Sequence, residues 1–528
     1  MRIVPTALAL SLVLGGPAKA QGWSLSYQAG YHDVNGHFVG GTELRSIVSH
    51  TIPNGDPGCT TAGGCPMLFA GNGYWEDIPG PEGVQHAQVL VLNKPESKGG
   101  AWAMDWDFGP RYQGGNCTGT GGGICENEAI AAMSEQTFTT YADGTPIKNP
   151  SPMLFIGVWN THLTSSKDSL GVVGVRNDSA GTWGLTIIDT ANAGTINPAQ
   201  VRSLGSHVDT VTGVSMVFAG EQPSGLFPAT INESGTITWG SAEKLAGCAA
   251  GSNAVYKCTN QPTQWPGCSG TGPSCPTIPT YMLNAERVMA ITEASDSSGH
   301  TAVYASIGFQ IYKRTDGASP SASPSWNLFW QIPAASVPTS SSSGLRGLTA
   351  IPNPSGAGHV LLTATEGNQP HIWRVDPNTG TAVNEENMKT MTNQDWGCTY
   401  CTAYQIDAYN DMPIIGGVNL IGQGTIYFVP GHTIPAGHQA MPLASGGKID
   451  TSAYYTIRTP PAAGQTSGTY QSYAIPPLSA HNMVSARAIT LSPFPGDNAI
   501  YFGGSDGNNT LQHNTAWIAR APLWVAIP

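Results

Sequence analysis

The sequence predicts an all-β fold, a seven-bladed β-propeller of four-stranded antiparallel blades, and three observations lead there. One short phrase recurs seven times along the chain. Its apolar residues alternate with strand periodicity, and no stretch carries the period of an amphipathic helix. The chain holds 66 glycines and 40 prolines among Val, Ile, Thr, Tyr and Trp runs, the composition of many short strands joined by many turns.

Each copy opens on one residue, often arginine, enters an alternating apolar stretch, crosses a turn and gives a second β-rich run ending in glycine. Arginine opens the copies Arg45-Ser46-Ile47, Arg287-Val288-Met289, Arg346-Gly347-Leu348 and Arg487-Ala488-Ile489. Three more fit the register with another first residue: Glu128-Ala129-Ile130, Thr212-Gly213-Val214 and Tyr404-Gln405-Ile406. Second runs are clearest at Met67 to Gly71, Met153 to Gly157, Ala302 to Gly308, Val360 to Gly367 and Ala499 to Gly503.

Taken in order, residues 1–20 read as a secretory signal peptide, with Arg2, an apolar run from Ile3 to Leu14 and the small residues of Ala18-Lys19-Ala20. Residues 21–528 then form one propeller domain, secreted to the periplasm or the exterior. Trp23-Ser24-Leu25-Ser26-Tyr27 alternates like a strand, and the last repeat leaves little chain for an outer strand, so the N-terminal strand is expected to close the ring. Blade one covers about Glu43 to Gly109, blade two Asn127 to Asp189, and blade three His207 to Gly240. A Cys- and Pro-rich insertion follows at about 241–280. Blade four runs from Arg287 to Ile332, blade five from Arg346 to Val383, blade six from Tyr404 to Ser479 and blade seven from Arg487 to Arg520.

Charge narrows the partners. The net charge is −12 with only 22 Lys and Arg, which argues against nucleic acid and anionic membrane. No later apolar run is long enough to span a bilayer, and a monomer is expected. The ten cysteines fall in local couples, Cys59 and Cys65, Cys117 and Cys125, Cys248 and Cys258, Cys268 and Cys275, Cys398 and Cys401, read as loop-stapling disulfides in an exported chain. No cofactor is expected. Asp506-Gly507-Asn508 is too short for a calcium loop, although the acidic turns leave room for a structural calcium ion.

In a propeller the residues opening the innermost strands and the loops between second and third strands share one face. That face would gather Arg45, Arg287, Arg346 and Arg487 with Tyr74, Trp75, Glu76, Trp159, Asn160, His162, Glu366, His371, Tyr404, Asn410, Asp506 and His513. Guanidinium groups focused in an aromatic-walled depression suit a carboxylate or sulfate. Repeated arginines also have a purely structural use, pairing with a neighbouring blade's carboxylate. Trp183, Trp239, Trp326 and Trp373 recur on outer strands and read as blade packing.

Serine-hydrolase elbows, zincin helices, P-loops and dinucleotide glycine patterns are absent in any credible context. Export, blade count and an Arg, His and Tyr face resemble the secreted seven-bladed polysaccharide lyases of the ulvan and rhamnose-glucuronate type. That resemblance implies β-elimination on a uronic-acid polysaccharide, an extracellular anionic partner. His371, His162 and Tyr404 would move protons, and Arg346 would neutralise the carboxylate. A non-catalytic lectin-like or protein-binding propeller is the alternative, with glycoside hydrolysis by paired carboxylates third.

Overall fold

The structure is a computed structural model. It describes residues 22–526 except 57–58, 74–86, 109–124, 163–168, 193–198, 223–224, 247–248, 251–255, 258–286, 318, 320–322, 337–343, 366–370, 388–393, 396–415, 421–423, 433–439, 443–447, 451–452, 463, 477, 479–482 and 507–513.

The described chain is nearly all β, as its composition requires, and Leu523–Ala526 forms a single α-helical turn. Its principal strands group into antiparallel meanders, numbered here in chain order as sheets. Sheet one is Glu43–Ile52, Cys65–Gly73, Gln88–Leu92 and Ala103–Asp107; sheet two is Cys125–Thr137, Pro152–His162, Ser169–Asn177 and Thr182–Asn192. Sheet three is Ala199–Val208, Ser215–Gln222, Gly225–Ile231 and Ile237–Trp239; sheet four is Val288–Ser295, Thr301–Ile307, Gln310–Thr315 and Ser325–Gln331. Sheet five is Leu345–Pro352, His359–Thr365, His371–Val375 and Ala382–Asn387; sheet six is Gly416–Leu420, Gly424–His432, Ala453–Thr459 and Thr469–Ala474. Sheet seven is Met483–Leu491, Ala499–Asp506 and Ala516–Pro522, with Ser24–Gln28 paired antiparallel to its third strand, Ser24 opposite Arg520.

One expected start is corrected. Thr212-Gly213-Val214 does not open a strand: Asp209 and Val214 close a turn in which Gly213 has φ 71°. The first strand of sheet three lies upstream, and its phrase is Arg202-Ser203-Leu204. The Tyr404 phrase lies outside the described residues, and the first described strand of sheet six is Gly416–Leu420.

Apolar clusters lie at the junctions between successive sheets. Ile130, Leu154 and Val158 of sheet two pack with Phe69 and Val89 of sheet one, and Tyr501 and Ile518 of sheet seven pack with Leu44 and Leu68 of sheet one. The glycines that end the second runs at Gly157 and Gly503 have their reason here, whereas a Cβ on Gly308 would meet nothing and that residue stands at φ 56° in the turn that follows its strand. A Cβ on Gly157 would stand 2.2 Å from the Val201 carbonyl oxygen, and one on Gly503 would stand 2.3 Å from Leu44. Only a residue without a side chain lets the next sheet come that close. Trp326 is fully buried, Trp183 and Trp373 are buried and Trp239 is partly buried, so these tryptophans serve packing.

Polar clasps cross the same junctions. His50 of sheet one meets Glu135 through Nδ1 (2.7 Å) and Asp178 through Nε2 (2.9 Å), both in sheet two or its turn. His207 of sheet three repeats this with Glu293 (2.7 Å) and Asp316 (3.2 Å) of sheet four. In each clasp an arginine two residues before the aspartate, Arg176 or Arg314, binds a further carboxylate, Asp105 of sheet one (3.0 Å) or Glu243 in the segment after sheet three (2.8 Å). The tryptophan indoles donate to those carboxylates, Trp183 to Asp105 and Trp326 to Glu243, each at 2.8 Å. Glu385 ties sheet five to sheet six through Arg458 at 2.7 Å.

Cys59 and Cys65 form a disulfide across the first turn of sheet one. The other cysteine couples have side chains outside the described residues.

Candidate functional site

The first strands of sheets one to five and seven line one cavity of about 370 Å³, into which Arg45, Ser134, Arg202, Ala290, Arg346 and Arg487 contribute. A recurring irregularity aims three of the arginines. The antiparallel ladder passes from Leu44 to Ser46, from Val201 to Ser203 and from Ala486 to Ala488, so Arg45, Arg202 and Arg487 are the extra residues of β-bulges. A bulge frees its residue from in-and-out alternation and re-aims the side chain. In sheets four and five the skipped residues are Met289 and Gly347, so Arg287 precedes its bulge by two residues and Arg346 by one. The four arginines expected to share one register therefore occupy three.

Glu43, buried, accepts from Arg45 Nε at 2.7 Å and also meets Arg487. Burial pushes the Glu43 carboxyl up, but Arg45 and Arg487 override that and hold it below its ordinary value. Arg202 is pushed well down, first by burial and then by the charges of Arg287, Arg45 and Arg346. Glu43 offsets part of this positive potential. The Trp159 ring, on the second strand of sheet two, carries the guanidinium of Arg45 at 4.7 Å and that of Arg202 at 5.0 Å, which is cation–π support for two like charges.

Arg45, Arg346 and Arg487 thus lie in the lining, Arg287 stands close enough to oppose Arg202, and Trp159 backs the wall. His371 does not belong to the lining. It opens the third strand of sheet five, buried, with Nδ1 2.9 Å from Asn384 Nδ2 and its ring 5.6 Å from that of Trp373. Burial lowers its pKa against a smaller upward effect of Asn384. Asn160 pairs in the backbone with Asn127 and Ala199, His162 with Cys125, and Asp506 with Met483; their side chains are outside the described residues. Tyr74, Trp75, Glu76, Glu366, Tyr404, Asn410 and His513 also lie outside them.

Arg202, Gln200 and Glu43 were missed by the sequence reading. Arg202-Ser203-Leu204 does match Arg45-Ser46-Ile47 and carries the signal in the sequence. Among the described residues no group of three or more His, Cys, Asp or Glu could hold a metal ion, and no helix is long and apolar enough to cross a membrane.

No family model and no curated protein matches the chain. Solved structures with a similar course include the Penicillium chrysogenum alpha-L-arabinanase complexed with arabinobiose. It is 10% identical, with 95% of this chain and 98% of that chain covered and a TM-score of 0.37. The BP39L lectin from Burkholderia pseudomallei is 12% identical, with 91% and 97% covered and a TM-score of 0.43. A protein of unknown function from Dyadobacter fermentans is 9% identical, with 95% and 99% covered and a TM-score of 0.36. No residue role is transferred from them.

Proposed function

We propose that this is a secreted, single-domain carbohydrate-binding protein: a seven-bladed β-propeller, its ring closed by Ser24–Gln28, whose central mouth binds an anionic polysaccharide. The observation that carries this reading is the convergence of Arg45, Arg202, Arg346 and Arg487 on one cavity. The planar forks of guanidinium groups suit carboxylate and sulfate oxygens. The cavity volume suits a short stretch of a glycan rather than a folded partner.

Elimination is the second reading. The arginines supply the carboxylate neutralisation that a lyase needs, and in sheet five burial disfavours the charged form of His371. Binding stands first because the described lining contains no histidine or tyrosine to take the proton.

The test incubates full-length protein with a panel of uronic-acid polysaccharides, following glycan binding and the ultraviolet absorbance of an unsaturated uronate. Saturable binding that Arg346→Ala weakens at least about tenfold, with flat absorbance, is expected. A rising absorbance lost in His371→Ala would make the protein a lyase. Absence of both signals would sink the polysaccharide reading.

A further inference from the structure

Charge alone does not account for the wall between sheets two and three. Trp159 and Gln200 face each other across the ladder that joins those sheets. Direct cross-strand partners stand about 5 Å apart at Cβ. Gln200 is 1% exposed and Trp159 8%. The Trp159 indole nitrogen and both the amide oxygen and nitrogen of Gln200 have no hydrogen-bond partner among the described residues. The same holds for Nε of Arg202, a residue 7% exposed. Buried polar groups left unmade are destabilising, so several in one patch mark a surface shaped for a ligand. The patch adjoins the cavity, because Arg45 and Arg202 both line it and both stack on Trp159.

The geometry points to a hexuronate seat: Arg202 takes the carboxylate of the sugar while Gln200 and the Trp159 indole N–H take its ring hydroxyls. The seat rests on the anionic reading of the mouth. It selects a carboxylated sugar over a bare oxyanion and over a neutral sugar. A sugar hydroxyl both donates and accepts, matching an amide that offers a carbonyl oxygen and an NH₂. Sulfate only accepts, so it would leave the Gln200 carbonyl oxygen without a donor. The guanidinium, in turn, separates a uronate from its neutral analogue, since a glucoside brings no carboxylate to it.

Titration calorimetry of the full-length protein with methyl β-D-glucuronide, methyl β-D-glucoside and sodium sulfate at one ionic strength tests this. The glucuronide is expected to bind tightest. Gln200→Leu should lose about tenfold for the glucuronide and leave sulfate unchanged. Trp159→Phe, which keeps an aromatic face for both guanidiniums but removes the indole N–H, should show the same split. Because Gln200→Leu deletes buried polar atoms that make no bond among the described residues, its ligand-free melting temperature should hold or rise. A lower melting temperature with equal losses for both anions would make Gln200 structural and overturn the seat. Equal affinity of the wild type for sulfate and glucuronide would also overturn it, as would an unchanged preference in both variants, the result expected if water fills the patch. Those outcomes leave the anionic mouth standing; failure of the wild type to bind either anion removes the mouth and the seat together.

Discussion

Arg202 concentrates the conflict at the residue scale between stability and binding. Its neighbours Arg287, Arg45 and Arg346 oppose its charge, and Trp159 gives it a π face. Replacing a buried charge by an apolar group of similar length is often neutral or stabilising. Arg202→Met should therefore raise ligand-free stability by about 1 kcal/mol at low salt, read by thermal denaturation, while abolishing the stabilisation that an added uronate gives the wild type. A melting temperature that falls would mean that the stacking on Trp159 outweighs the repulsion. Arg45, Arg346 and Arg487 were legible because an arginine opened an apolar alternation. Their different registers were not, because a bulge adds one unpaired residue that no periodicity announces.

The clasps decide pH behaviour at the scale of strands and sheets. Burial works against a charged His207, but hydrogen bonds to Asp316 and Glu293 overcome it and raise its pKa from 6.5 to about 9. His50 moves up for the same reason, through Asp178 and Glu135. A raised histidine pKa adds stability that is fully present below the unfolded value of 6.5 and is lost as pH rises through the folded value. The melting temperature should thus fall between pH 6.5 and about 9. His207→Gln should flatten that fall, and after allowance for the exposed Glu293 the clasp contributes on the order of 2 kcal/mol. A pH profile identical in wild type and variant would remove the clasp from the stability account. Asp178 and Asp316 act in the opposite sense: burial pushes them up, the paired histidines bring them below their ordinary values, and their contribution is lost as pH falls. The Arg-x-Asp spacing of 176–178 and 314–316 is visible in the sequence, but the histidine partners lie more than a hundred residues away.

For the whole molecule, the N-terminal strand is the segment to remove. Ser24–Gln28 covers the edge of Ala516–Pro522, Tyr27 is buried in the core shared with sheet one, and Trp23 packs against Tyr455 and Phe502. Deleting residues 21–29 should cost about 3 kcal/mol or more and leave an open strand edge that aggregates, seen as a lower melting temperature with rising light scattering. An unchanged melting temperature and a monodisperse product would show that the strand is dispensable. The sequence by itself determined the all-β class, most strand pairs and the glycines that end the second runs at Gly71, Gly157 and Gly503, since alternation, turn residues and the missing side chain are local properties of the chain. Tertiary structure decided which arginines share a cavity, that His371 stands apart from it, and that Gln200 faces Trp159. Those relations depend on bulges and on the packing of sheets distant in sequence, where a shift of one residue redirects a side chain and no local pattern records the shift.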